Sequence, residues 1–187
     1  MRILISGLLG GLVFFFWGAV AHMALPIGIM GMNFAVPHEA VLGAMKQEFK
    51  GEGVYVLPSL PVDKMNDKAA QTAFAPTALA NPYAFIIYQP QGRDSSQMGE
   101  NLAKQWVSDT LSALIVSFVL ALGAFGFGKR VMVSAALGLF SWLTVSVPWW
   151  NWYRFPMDFT IGSFLEQVVG WLLAGIAMAW WLGRKEA

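Results

Sequence analysis

Four long runs of this chain are almost free of charge, and the stretches between them are not. The first runs from about Ile3 to Leu25, with Arg2 before it and Pro26 to stop it. The second spans about Trp106 to Phe127, the third Val131 to Val147 and the fourth about Ile161 to Leu182. About 20 consecutive apolar residues cross the hydrocarbon of a bilayer, so runs of this kind predict membrane helices. The third is about 26 Å long at 1.5 Å per residue and is expected to extend into Trp149 and Trp150. Gly128-Lys129-Arg130 reads as a tight basic turn between the second and third.

From Pro26 onward the pattern becomes polar enough for water and stays so through residue 105. A segment of this size is too long for a plain loop. Pro37 and Gly51 bracket a helix on which Val41, Leu42, Met45 and Phe49 share one face. Val54–Leu57, ended by Pro58, and Ala84–Tyr88, ended by Pro90, read as strands. A weaker helix is expected over Asp63–Phe74, and Ser95 and Ser96 offer caps for the helix that leads into the second span. The small core this makes is expected to rest on the membrane or on a partner.

The last polar interval, S-V-P-W-W-N-W-Y-R-F-P-M-D-F, is dominated by aromatic rings. Rings with one apolar side and one polar handle settle where hydrocarbon meets water. Trp149, Trp150, Trp152 and Tyr153 are therefore expected to anchor an interfacial turn over residues 148–160, and Trp180 and Trp181 to mark the opposite interface. Arg2, Lys129, Arg130, Arg184 and Lys185 flank that opposite side, while the aromatic turn carries only Arg154. The positive-inside rule then places both termini in the cytoplasm. In a bacterial inner membrane, residues 26–105 and the aromatic turn would be periplasmic. The expected fold is a membrane all-α four-helix bundle with a small mixed α/β extramembrane domain inserted between helices one and two. Its parts are a first helix over 1–25, a periplasmic domain over 26–105 and three helices over 106–187.

Composition sharpens this. Charged residues make up 12% of the chain, against about 25% in soluble domains. The net charge of +1 gives no electrostatic case for a nucleic-acid partner. The chain has no cysteine, which excludes disulfide scaffolds, thiol nucleophiles and thiolate metal sites. A cleaved signal peptide is the rival reading of the first run, because Ala19-Val20-Ala21 is a small-x-small site. The length of the run favours a retained helix. Gly7 and Gly11 form a small-xxx-small pair that lets another helix approach closely, although glycine is also common in membrane helices generally.

Ionisable groups near membrane spans are the first place to look for chemistry. His22, Asp109, Arg154, Asp158 and Glu166 fall at similar depth and are expected to share a polar pocket. Such a pocket would suit a proton relay, a quinone headgroup or a cation. Each has a plainer reading: Ser163-Phe-Leu-Glu166 matches a capping box, and Arg154 and Asp158 can pair locally. His22, Met23, Met30, Met32 and His38 offer soft thioether and imidazole ligands for cuprous copper, although methionine is also a routine gap-filler. A bis-histidine haem within one chain is excluded, since only His22 is near a span. No phosphate loop, G-x-S-x-G or H-E-x-x-H is present, and neither internal repeats nor midplane breaks mark a transporter.

Several stretches carry a resemblance: W-G-A-V-A-H-M at Trp17–Met23, G-V-Y-V-L-P at Gly53–Pro58, F-I-I-Y-Q-P at Phe85–Pro90 and W-N-W-Y-R-F-P at Trp150–Pro156. The last continues through E-Q-V-V-G-W-L-L-A-G at Glu166–Gly175. On these motifs the chain resembles a family of small bacterial four-helix inner-membrane proteins with a W-N-W-Y-x-F-P turn. The resemblance implies four helices and an outer domain, often with glycine where this chain has Arg154, and it brings no activity. The expected function is a non-enzymatic accessory or assembly subunit of a larger inner-membrane complex, in contact with lipid and with other subunits or further copies of itself. Two alternatives stay open. One is a membrane protein that binds a periplasmic-side ligand or copper. The other is a membrane enzyme or proton-coupled carrier built on Glu166 and His22.

Overall fold

The computed structural model describes residues 1–34 and 37–184. In chain order the helices are α1 (Arg2–Met23), α2 (Glu39–Glu48), α3 (Lys68–Ala80), α4 (Gly99–Ala121), α5 (Phe127–Tyr153), α6 (Met157–Phe164) and α7 (Gly170–Gly183). A π-helical turn, Leu165–Val169, joins α6 to α7 without a break, and a 3-10 helix, Pro26–Ile29, follows α1. The strands are β1 (Gly53–Leu57) and β2 (Ala84–Tyr88). The chain divides into two compact units, residues 1–34 with 96–187, and residues 35–95.

In the first unit α1 packs against both α4 and α7, and α5 packs against α7. Its contact surfaces are small and polar. Ser6, Gly7, Gly10, Gly11, Phe14 and Ala21 are the buried residues of α1. Leu4, Leu8, Leu12, Phe16 and Val20, a stripe at every fourth position, face outward. Helices in lipid gain little by burying apolar surface, so close approach of small residues and interhelical hydrogen bonds hold them together. A Cβ at Gly7 would lie 2.9 Å from Leu114 Cα, and one at Gly11 would lie 2.6 Å from Thr110 Cα. The glycine pair is therefore used inside the chain, against α4. Ser6 Oγ donates to the Met178 carbonyl at 3.4 Å, Ser117 Oγ to the Ile3 carbonyl at 3.1 Å and Ser134 Oγ to the Trp171 carbonyl at 2.7 Å. Phe14, Val116, Leu120, Trp171 and Met178 form the apolar core.

Three helices among the described residues are long and apolar enough to cross a membrane: α1, α5 and the continuous helix Met157–Gly183. The expected fourth span falls short of that standard. α4 ends at Ala121 instead of reaching Phe127, and its first half carries Glu100, Lys104 and Asp109. Its charge-free part, from Thr110 on, is about 18 Å long at 1.5 Å per residue. The basic turn moves too. The α4–α5 connection lies at residues 122–126, and Lys129 and Arg130 sit in the first turn of α5.

The aromatic stretch is mostly helix. α5 runs through Trp149, Trp150 and Trp152 to Tyr153 with Pro148 inside it, so the turn expected over 148–160 narrows to Arg154–Pro156. Arg154 caps α5 in the left-handed region, at φ 58°. Trp149 meets Phe155 edge-on at 5.0 Å, and Phe155 meets Phe159 at 5.1 Å. At the other end of the unit Arg2 donates to the carbonyls of Leu182 and Arg184, and the Arg184 guanidinium lies 4.6 Å from the Trp180 ring and 5.3 Å from that of Trp181. Lys185 lies outside the described residues. The outer-domain boundary also shifts, because residues 26–34 pack in the first unit. A Cβ at Gly162 would meet the Ile27 carbonyl at 2.7 Å, and Gly31, at φ 72°, lies against Phe159.

In the second unit β1 and β2 pair antiparallel, with Gly53 opposite Tyr88 and Leu57 opposite Ala84. Phe49 stacks on Tyr55 at 3.9 Å, and Tyr88 meets both rings edge-on. Tyr55 Oη donates to the Gly51 carbonyl at 2.8 Å. Asp67 caps α3 by accepting from the amides of Ala69 and Ala70, so that helix starts later than Asp63 and runs past Phe74 to Ala80. Val41, Met45, Leu57 and Ile86 line an apolar groove of about 590 Å³ between α2 and the sheet.

Candidate functional site

α1 leaves its packing with α4 and α7 at His22, one residue before it ends. The Pro26–Ile29 helix then folds back over the imidazole so closely that a Cβ on Gly28 would lie 2.1 Å from Nδ1. On its other side His22 Nε2 stands 3.1 Å from Glu166 Oε1. Glu166 belongs to the π-helical turn, and Trp17 Nε1 donates to its backbone carbonyl at 3.0 Å. A π-turn inserts one residue into a helix, redirects the side chains around it and recurs at functional sites.

α4 supplies the opposite wall. Asp109 is only 5% exposed, and its Oδ1 accepts from Gln105 Nε2 at 2.8 Å. Gln105 and Asp109 stand four positions apart on one helix, where side chains meet. Together with Phe14, Phe15 and Gly18 these groups enclose a cavity of about 280 Å³ within the first unit. Two carboxylates and one imidazole line it, with no lysine or arginine. The nearby Lys104 ammonium pairs instead with Glu100, at 2.5 Å. Imidazole and carboxylate at hydrogen-bond distance can share or pass a proton, and the second carboxylate gives the cavity a negative balance that attracts cations.

Of the five residues expected in a polar pocket, His22, Asp109 and Glu166 line this cavity, and Arg154 and Asp158 are not among its lining residues. Asp158 sits in the first turn of α6, where negative charge is favoured. The capping-box reading of Ser163 and Glu166 fails, because the helix begins at Met157 and Ser163 lies well inside it. Ser163 Oγ stands 2.6 Å from Ser146 Oγ instead. The methionine and histidine set divides. Met23 lines the cavity beside His22, Met30 packs on Gly162, and Met32 is half-exposed beyond the turn. His38 belongs to the second unit, 4.0 Å from Glu39 Oε1. Among the described residues, no group of three or more histidine, aspartate or glutamate side chains is placed to hold a metal ion.

Sequence reasoning missed Trp17, Gly28 and Gln105. The four-residue spacing of Gln105 and Asp109 was a usable signal. Nothing local marks Gly28, whose role depends on a chain reversal.

The chain matches no protein-family model, none of the curated proteins and none of the solved structures.

Proposed function

We propose that this chain is an integral membrane protein that binds the cationic headgroup of an amphiphile in the cavity of His22, Asp109 and Glu166. The observation that carries this reading is the His22–Glu166 contact at 3.1 Å beside the buried Asp109, in a cavity whose described lining holds no lysine or arginine. At about 280 Å³ the cavity is small beside the roughly 300–1,000 Å³ of drug-sized sites, so it suits a headgroup whose tail lies outside. Phe14 and Phe15 supply faces for an ammonium group.

The membrane arrangement belongs to the same proposal. α4 is the fourth crossing, supported by its packing along α1 and by its outward stripe of Val107, Leu111, Ile115, Phe118 and Leu122. Arg2, Arg130 and Arg184 gather at one end of the unit, which supports cytoplasmic termini and a periplasmic second unit in a bacterial inner membrane.

The test is binding of dodecylammonium, whose N–H groups can donate to the carboxylates, to the full chain in nanodiscs, with dodecyl maltoside as the uncharged control. Glu166→Gln and Asp109→Asn each remove one charge-assisted contact, worth about 1.5–3 kcal/mol, so affinity for the cation drops roughly tenfold to a hundredfold. Equal affinity of wild type and both variants, or equal affinity for the two amphiphiles, defeats the proposal.

A second reading, an accessory subunit of a larger membrane complex, draws support from the apolar groove of the second unit, where Val41 and Leu57 are half-exposed. Gly7, Gly10 and Gly11 of α1 lend it none, since α4 and α7 already occupy them. Gentle extraction from the native membrane separates the readings. A stoichiometric assembly with other chains supports the accessory role, and a particle of this chain alone removes it.

A further inference from the structure

A second cavity, of about 250 Å³, opens between α5 and the continuous α6–α7 helix. Its polar lining is neutral: Ser141 and Ser146 from α5, and Ser163 and Gln167 from the facing helix. Trp149 and Phe159 supply its aromatic wall. Glu166 lines the first cavity and Gln167, the next residue, lines this one, because consecutive residues of a helix point about 100° apart.

The hydrogen bonds here leave donors over. Ser146 Oγ and Ser163 Oγ lie 2.6 Å apart, so one hydroxyl donates to the other and the acceptor keeps its own proton. Ser141 Oγ donates to Gln167 Oε1 at a long 3.4 Å. The Gln167 carboxamide nitrogen donates to no protein atom among the described residues. Ser141 lies near the middle of α5, a helix apolar enough to cross a membrane, so hydrocarbon and not water is the expected surrounding. An amide N–H in hydrocarbon is expensive to leave unpaired. The cavity therefore holds an amide N–H and a hydroxyl that meet no acceptor among the described residues, and it offers no charge to either sign of headgroup.

We infer that this cavity binds the carbonyl oxygen of a neutral lipid, a glycerolipid ester or an isoprenoid quinone, through Gln167 Nε2 and the Ser146–Ser163 hydroxyl pair. Ester and quinone share the feature the donors need, an uncharged acceptor on an apolar body. Trp149 and Phe159 give either one a flat surface to lie against. This site is separate from the cation-binding cavity and does not depend on that assignment.

The test uses the full chain in detergent, exchanged against three probes and weighed intact by native mass spectrometry. The probes are a diacylglycerol, its dialkyl ether analogue, which lacks the carbonyl, and a short-chain ubiquinone. The expected result is at least tenfold preferential retention of the ester or the quinone over the ether, and whichever is retained names the source. Gln167→Leu abolishes that preference, while Thr144→Val, on α5 but outside the cavity lining, leaves it unchanged. Where Gln167→Leu fails to fold, Ser146→Ala replaces it and is expected to weaken the preference several-fold. Equal retention of all three probes by wild type overturns the inference. So does an undiminished preference in a folded Gln167→Leu protein or, where that variant does not fold, in Ser146→Ala.

Discussion

Gly11→Ala adds a single methyl group at the closest approach of α1 and α4. The new carbon would lie 2.6 Å from Thr110 Cα, 2.9 Å from Thr110 Oγ1 and 3.0 Å from Thr110 N. Carbon atoms in contact prefer about 3.5–4.0 Å, so the helices must separate by roughly 1 Å. The obstructing atoms are mostly backbone, and no rotamer change relieves them. Overpacking of this kind costs about 1–3 kcal/mol, against about 0.4–1 kcal/mol that replacing glycine by alanine returns through the unfolded chain. The control sits on the same helix: a Cβ at Gly18 meets nothing within 4 Å. Gly18→Ala should therefore stabilise by about 0.5–1 kcal/mol, and the two variants should differ by the overpacking cost, roughly 1–3 kcal/mol. Unfolding in mixed micelles with increasing dodecyl sulfate, followed by circular dichroism, measures that difference. Gly11→Ala should also weaken cation binding, because α4 carries Asp109 next to Thr110. A Gly11→Ala protein as stable as Gly18→Ala would refute the packing argument.

Gly28→Ala places a methyl group where the His22 imidazole lies and should drive the ring away from Glu166. An NMR contact between the imidazole and the Glu166 side chain, expected for wild type in nanodiscs from their 3.1 Å approach, should then be lost, and its persistence would refute the argument. At Arg154, in the left-handed region, a non-glycine residue costs about 1–2 kcal/mol. Arg154→Gly should stay within about 1 kcal/mol of wild type in thermal unfolding, and Arg154→Val should fall clearly below both.

What the sequence could tell depended on how local the cause was. β1 and β2 were legible because Val54–Leu57 and Ala84–Tyr88 are short β-branched and aromatic runs with proline close behind. The three apolar helices were legible from length alone. Their ends were not. Tyr153 lies inside α5 because Pro148 is tolerated within the helix, and the stop falls at a left-handed Arg154 that no composition rule marks. Pro156 was the true start signal of the next helix, and the Ser163–Glu166 spacing only imitated one. Three acidic and imidazole groups of the first cavity could be named in advance, since charge near a span is conspicuous. The neutral cavity could not. Serines and a glutamine scattered over two segments gain meaning only when the packing of α5 against the facing helix, invisible to hydrophobic periodicity, brings them to one place.

The first helix finds its main partners far along the chain. Arg2 bonds carbonyls at Leu182 and Arg184, Ser6 meets Met178, Trp17 meets Glu166, and His22 meets the same Glu166. At roughly 5–20 residues per second, α1 emerges from the ribosome on the order of ten seconds before α7 exists. Through that interval Ser6, Trp17 and His22 must enter the membrane without the groups that later satisfy them. The His22–Glu166 cavity closes only when the Leu165–Val169 turn reaches α1, so a cation proposed to bind there can be captured only after that late segment has been made and docked.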